Sequence, residues 1–168
     1  TLSGANLLQT GHQRFAFGMT AGGASRLDAL DPDGGAAALR ATFDRIRALD
    51  SQNIFERRYA NTLGTGIAVN AAIEAALKDA TELATAFPDT NLGRQLKMVA
   101  RLIAVRGALG MKRQIFYVTL GGFDTHDAQA SDHPALLKQL SQALSAFFEA
   151  TQELGVPDAV TAFTASDF

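Results

Sequence analysis

The sequence contains no cysteine. Disulfides and thiolate metal sites are thereby excluded, so any bound metal must be held by oxygen and imidazole ligands. The same absence does not separate cytoplasm from periplasm. A basic surplus is also lacking, since 15 Lys and Arg stand against 17 Asp and Glu, a formal net charge of -2. Such a chain has little with which to neutralise a phosphate backbone, which argues against nucleic acid as a partner. No apolar run reaches the roughly 18 residues that a membrane span needs. There is no internal repeat, no low-complexity tract and no signal peptide at the start.

What is present is an ordinary globular composition, 47% hydrophobic and 19% charged over 168 residues, enough for one domain with a core. Thr1 stands where an initiator Met would be, and Phe168 follows closely on a strand-like run. Both ends read as cuts. The expectation is that 1–168 is a single incomplete domain, a fragment of a larger chain, with any targeting segment lying outside it.

Residues 1–35 are rich in Gly, Ser, Thr and Asp and read as loops, with a turn at Asp31-Pro32-Asp33-Gly34-Gly35. Within them Gly11-His12-Gln13-Arg14 is the polar cluster, and a surface loop is its simplest reading. From 36 to 63, Leu39, Phe43, Ile46, Leu49 and Ile54 recur at helical spacing, with Gly64-Thr65-Gly66 as a break. A second helix is expected from 67 to 87, ended by Pro88-Asp89, and a third from 92 to 109. On the third, Leu92, Leu96, Val99 and Ile103 form an apolar stripe. Arg94, Lys97, Arg101 and Arg106 form a polar face, either solvated or turned toward an anion.

The period then changes. Gln114 to Leu120 is rich in β-branched and aromatic residues and reads as a strand buried on both faces. A loop follows to His133, then a helix that starts near Pro134, capped by Ser131 or Asp132, and ends at Leu154-Gly155 before Pro157. Val160 to Thr164 reads as a second strand. Strand, helix and strand at this length predict a right-handed βαβ unit over 114–165. The fold expected is therefore α/β, part of a parallel sheet, with a helical insertion at about 36–109 lying over the sheet's active edge.

In parallel sheets ligands bind at the carboxyl ends of strands. The first such end carries Gly121-Gly122-Phe123-Asp124-Thr125-His126-Asp127, and the second carries Thr164-Ala165-Ser166-Asp167. Gly121 and Gly122 shape the loop, since two glycines allow a sharp turn and close approach. Asp124 and His126 offer an oxygen and an imidazole nitrogen, a ligand set for a divalent ion and equally a set for acid–base work. Asp132 and His133 form a second pair. An Asp beside Gly also serves as a plain turn residue and a neighbouring His as a surface hydrogen-bonder, so the spacing alone leaves these readings open.

The run Gln114-Ile-Phe-Tyr-Val-Thr-Leu-Gly-Gly-Phe-Asp-Thr-His-Asp127 resembles the signature of the bacterial domain-of-unknown-function 1501 family. Leu154-Gly-Val-Pro-Asp158, Val160 to Phe168, Leu96 to Ile103 and Leu2-Ser-Gly-Ala-Asn6 fit it as well. The resemblance is specific over 96–168 and loose from about 20 to 90. It implies a relation to the alkaline phosphatase and sulfatase superfamily, whose α/β domains hydrolyse phosphate or sulfate esters at a metal centre. It also implies export to the periplasm by a twin-arginine signal. By position, Asp124 and His126 match the family motif as ligands of Zn, Mn, Fe or Ca. Asp167 stands where the family has Glu, and His133 is an alternative, because the superfamily's usual ligand spacing is wider than Asp-x-His. The nucleophile and other ligands would lie outside this chain, so the fragment itself would be inactive. The implied partner is a small phosphate or sulfate ester.

Two further functions stand beside this one. A non-catalytic exported binding or assembly protein on the same scaffold would use Asp124 and His126 only to tie the loop together. A metal-free hydrolase would use them as an acid–base pair. Oligomeric state is not readable from these residues.

Overall fold

Residues Asn91 to Ala104 place Leu92, Leu96, Val99 and Ile103 on one stripe, and the computed structural model folds them into a helix whose buried face is that stripe. It describes residues 16–23, 37–49 and 51–166. The described elements, in chain order, are α1 (Ala37–Arg47), α2 (Ile54–Lys78), α3 (Asn91–Ala104) and α4 (Gln129–Glu153). One-turn 3-10 helices at His126–Ala128 and Pro157–Ala159 flank α4.

The core lies where α3 packs on α4. Ala100, Ala143 and Ala150 are fully buried, and these small residues let the two helices approach closely. Leu96, Met98, Val99, Leu102, Ile103 and Phe147 fill the space around them. Thr90 caps α3, its Oγ1 accepting from the Gly93 N–H at 3.1 Å. Asn53 caps α2 in the same way, with Oδ1 accepting from the Phe55 N–H at 2.9 Å. Glu56 in the first turn of α2 and Lys78 in its last suit the helix dipole.

The α/β expectation is overturned. Among the described residues there is no sheet, and the β pairing present is one isolated antiparallel bridge between Thr20 and Gly23. The 114–120 run has no regular secondary structure and joins no ladder. Its alternation survives as one-sided burial. Phe116, Val118 and Leu120 pack against the helical core, while Ile115 is 78% exposed. The run thus covers the core on one face and is not buried on two. The 160–164 run meets the core through Val160, and Phe163 beyond it is exposed. No βαβ unit forms over 114–165, and among the described residues there is no sheet edge for helices at 36–109 to be inserted over.

Helix boundaries also shift. Gly64 and Gly66 do not break the chain but lie inside α2. Each interior glycine costs about 1 kcal/mol, which 25 residues of continuous helix absorb. The break falls earlier, since α1 ends at Arg47 and α2 begins at Ile54. Helix α4 starts at Gln129, so Pro134 sits inside it. Leu39 and Ile46 lie in α1 but are exposed, so the helical spacing there holds while the burial does not. The loop at 1–15, the turn at 31–35 and Asp167 lie outside the described residues.

Candidate functional site

The segment entering the loop is fixed from α3. Gln95 is a buried polar residue, 4% exposed, within an apolar stripe. Its Nε2 donates to the Thr119 carbonyl at 3.0 Å and to Asn91 Oδ1 at 2.8 Å. Its Oε1 accepts from the Thr119 N–H at 3.2 Å. A side-chain amide thus meets one residue's backbone much as a neighbouring strand would, two residues before Gly121.

After Thr119 the chain turns at Gly122, where φ is +97°. That conformation suits glycine and strains other residues, and an added Cβ would already stand 3.4 Å from Leu136 Cδ2. Gly121 carries neither constraint. The Thr125 N–H then donates to the Phe123 carbonyl at 2.9 Å, closing a three-residue turn with Asp124 at its centre. His126 follows with φ +43°, an uncommon conformation for a side-chain-bearing residue. Together these turns bring Asp124 Oδ1 and His126 Nε2 to 3.2 Å. Both side chains are open to solvent, 67% and 80% exposed.

His133 goes elsewhere. Its ring stands edge-on to Phe123, centroids 5.8 Å apart at 84°, in the favoured T-shaped geometry. Among the described residues no group of three His, Asp or Glu side chains gathers in one place. The structure therefore unites two of the expected site residues, Asp124 and His126, and assigns His133 to packing against the same loop.

The spacing within the pair suits a shared ion. Two ligand atoms each about 2.1 Å from one metal, at an angle of about 100°, stand about 3.2 Å apart, which is the distance found. Carboxylate oxygen with imidazole nitrogen is also the right donor chemistry for a cysteine-free site.

Two polar constructions were not expected from the sequence. One is the Gln95 clamp. Its signal was there, since a Gln inside an apolar stripe must find partners when buried. The other is Glu153, in the last turn of α4, where a carboxylate opposes the helix dipole. Its Oε1 accepts from the Ala84 N–H at 2.7 Å. Its Oε2 accepts from the Thr85 N–H at 2.9 Å and the Thr85 hydroxyl at 2.6 Å. These bonds, led by the Thr85 hydroxyl, hold the carboxyl below the ordinary glutamate range. Glu153 thereby ties the loop after α2 to the end of α4, beside an open cleft of about 540 Å³. A smaller cleft of about 270 Å³ lies between the Thr20–Gly23 turn and α3.

A family model described as a protein of unknown function, DUF1501, matches residues 48–168, which include α2, α3, α4 and the whole Asp124–His126 loop. No curated protein and no solved structure matches the chain.

Proposed function

Since the chain belongs to the DUF1501 family, whose function is unknown, its activity has to be read from its own site, and we propose that it is a metal-dependent hydrolase of phosphate or sulfate esters. The observation that carries this is the 3.2 Å approach of Asp124 Oδ1 and His126 Nε2, set by two unusual backbone turns. Backbone strain of this kind persists where the surroundings impose it, and it gathers at functional sites.

Asp124 and His126 would hold a divalent ion of the Zn, Mn, Fe or Ca type, with Asp167 as a third ligand or an orienter and His133 as the alternative. When bound, such an ion supplies polarisation of the ester and activation of water. The chain's own contribution is positional. Gln95 fixes Thr119, Gly122 turns the loop, and the turn centred on Asp124 presents the carboxylate toward the imidazole. An exported, periplasmic location belongs to the same proposal and rests on the twin-arginine signals that the family resemblance implies.

The openness of the pair favours a second reading. With 67% and 80% of the two side chains exposed, water is not excluded from them, whereas catalytic electrostatics gain their strength in water-excluded sites. A non-catalytic exported binding or assembly protein would need no such exclusion.

The test is hydrolysis of p-nitrophenyl phosphate and p-nitrophenyl sulfate by the purified full-length protein, before and after EDTA and after return of each metal. Turnover that is lost with chelator and restored by one ion supports the proposal. Turnover that survives chelation but fails in His126→Ala points instead to a metal-free acid–base pair. No turnover with any ion leaves the binding role.

A further inference from the structure

Helix α3 turns Arg94, Lys97 and Arg101 to one side, at spacings of three and four residues that stack along a single face. That side forms one wall of the 270 Å³ cleft, with Met98 and, across from it, Ala21 of the Thr20–Gly23 turn. Among the described residues no carboxylate lines it. Arg94 is already engaged, its Nη1 lying 2.6 Å from Asp89 Oδ1. Lys97 and Arg101 are half-buried, and among the described residues neither has a carboxylate within ion-pair distance. Cations drawn partly out of water without a counter-charge are costly, and an anion in the cleft would relieve that cost.

The opposite wall offers a complementary feature. In the turn, the Thr20 N–H donates to the Gly23 carbonyl, the Gly23 N–H to the Thr20 carbonyl and the Gly22 N–H to Thr20 Oγ1. The Ala21 N–H is the amide in this turn that none of those bonds uses. Ala21 lines the same cleft as the two cations, and backbone amides together with cationic side chains commonly hold oxyanions.

We propose that this cleft binds a tetrahedral oxyanion, phosphate or sulfate, free or at the end of an ester, through Lys97, Arg101 and the Ala21 N–H. The site is built from residues other than the Asp124–His126 loop, and it stands or falls apart from the hydrolase reading.

The test is an NMR titration of the protein, low in salt and with EDTA present, using inorganic phosphate, inorganic sulfate, phenyl phosphate and acetate. Saturable shifts centred on Ala21, Lys97 and Arg101, with acetate much weaker, are expected. Saturation by phenyl phosphate as well as by the free ions would identify an ester terminus as a fitting source, and saturation by the free ions alone would identify the free anion. Lys97→Gln and Arg101→Gln, which remove the charge and keep a polar end, should each weaken phosphate about tenfold or more. Arg94→Gln should change it far less. Shifts spread over all lysines and arginines, unchanged affinity in the Lys97→Gln/Arg101→Gln protein, or no saturation by phosphate or sulfate would overturn the proposal. Because chelator is present throughout, failure here is distinct from failure of metal-dependent turnover.

Discussion

The side-chain amide of Gln95 bonds both backbone groups of Thr119, accepting from its N–H at 3.2 Å and donating to its carbonyl at 3.0 Å. This pair of hydrogen bonds joins the buried face of α3 to the segment that leads into the Asp124–His126 loop. Replacing Gln95 with Leu, which fills similar space without the bonds, should lower stability by about 1–3 kcal/mol. Urea unfolding measures the loss, and the Thr119 amide should exchange faster with deuterium. Unchanged exchange at Thr119 would mean that the clamp does not hold the segment in solution.

Gly122 and Gly121 make a paired test. Gly122→Ala forces a Cβ into a φ of +97° and should cost about 1–3 kcal/mol. Gly121→Ala meets nothing within 4 Å and should be near neutral. Thermal denaturation of the two variants checks this, and equal effects would contradict the loop geometry.

Gly93 lies in the first turn of α3, where alanine would ordinarily favour the helix by about 1 kcal/mol. Its added Cβ, however, would fall on the Pro88 carbonyl oxygen, which is backbone and accepts from the Thr90 N–H at 2.8 Å. Overpacking of that kind costs about 1–3 kcal/mol, so Gly93→Ala should destabilise. A raised unfolding midpoint would show that the 88–93 corner yields easily.

How much of this was legible in the sequence depended on what each pattern encodes. The apolar stripe Leu92, Leu96, Val99, Ile103 specified α3 and its buried face; in α4 the same periodicity specified the helix and the burial of Phe147, but Phe148, also expected inward, is 55% exposed. The alternation Phe116, Val118, Leu120 specified one face turned inward, and those three residues do pack on the core. It could not state what meets the backbone, and Gln95 takes the part of a strand neighbour there. The sheet inferred from that run was therefore wrong while its inward face was right. Within the site, Asp-x-His spacing and Gly122 were readable, since two residues on one tight loop must be close. The pairing of Glu153 with Ala84 and Thr85 was not, because it joins positions 68 and 69 residues apart.

Glu153 predicts a pH dependence. Its carboxyl is held below the ordinary range by the Thr85 hydroxyl and the Ala84 and Thr85 amides. A lowered folded value means stability that is present above the unfolded value, about 4.3. That stability is lost as pH falls through the folded value. The difference in Tm between the protein and Glu153→Gln should be present at pH 7 and shrink below about pH 4. It should be modest throughout, since the carboxylate is exposed to solvent and salt. A difference independent of pH would show that the charge contributes nothing.

The most direct test of the central claim is the metal content of the purified protein beside Asp124→Ala/His126→Ala, measured by elemental analysis after supply of Zn, Mn, Fe and Ca in turn. Close to one equivalent of a single divalent ion should be found in the protein and should disappear in the double variant. No metal under any supply, or the same metal in both proteins, would contradict it.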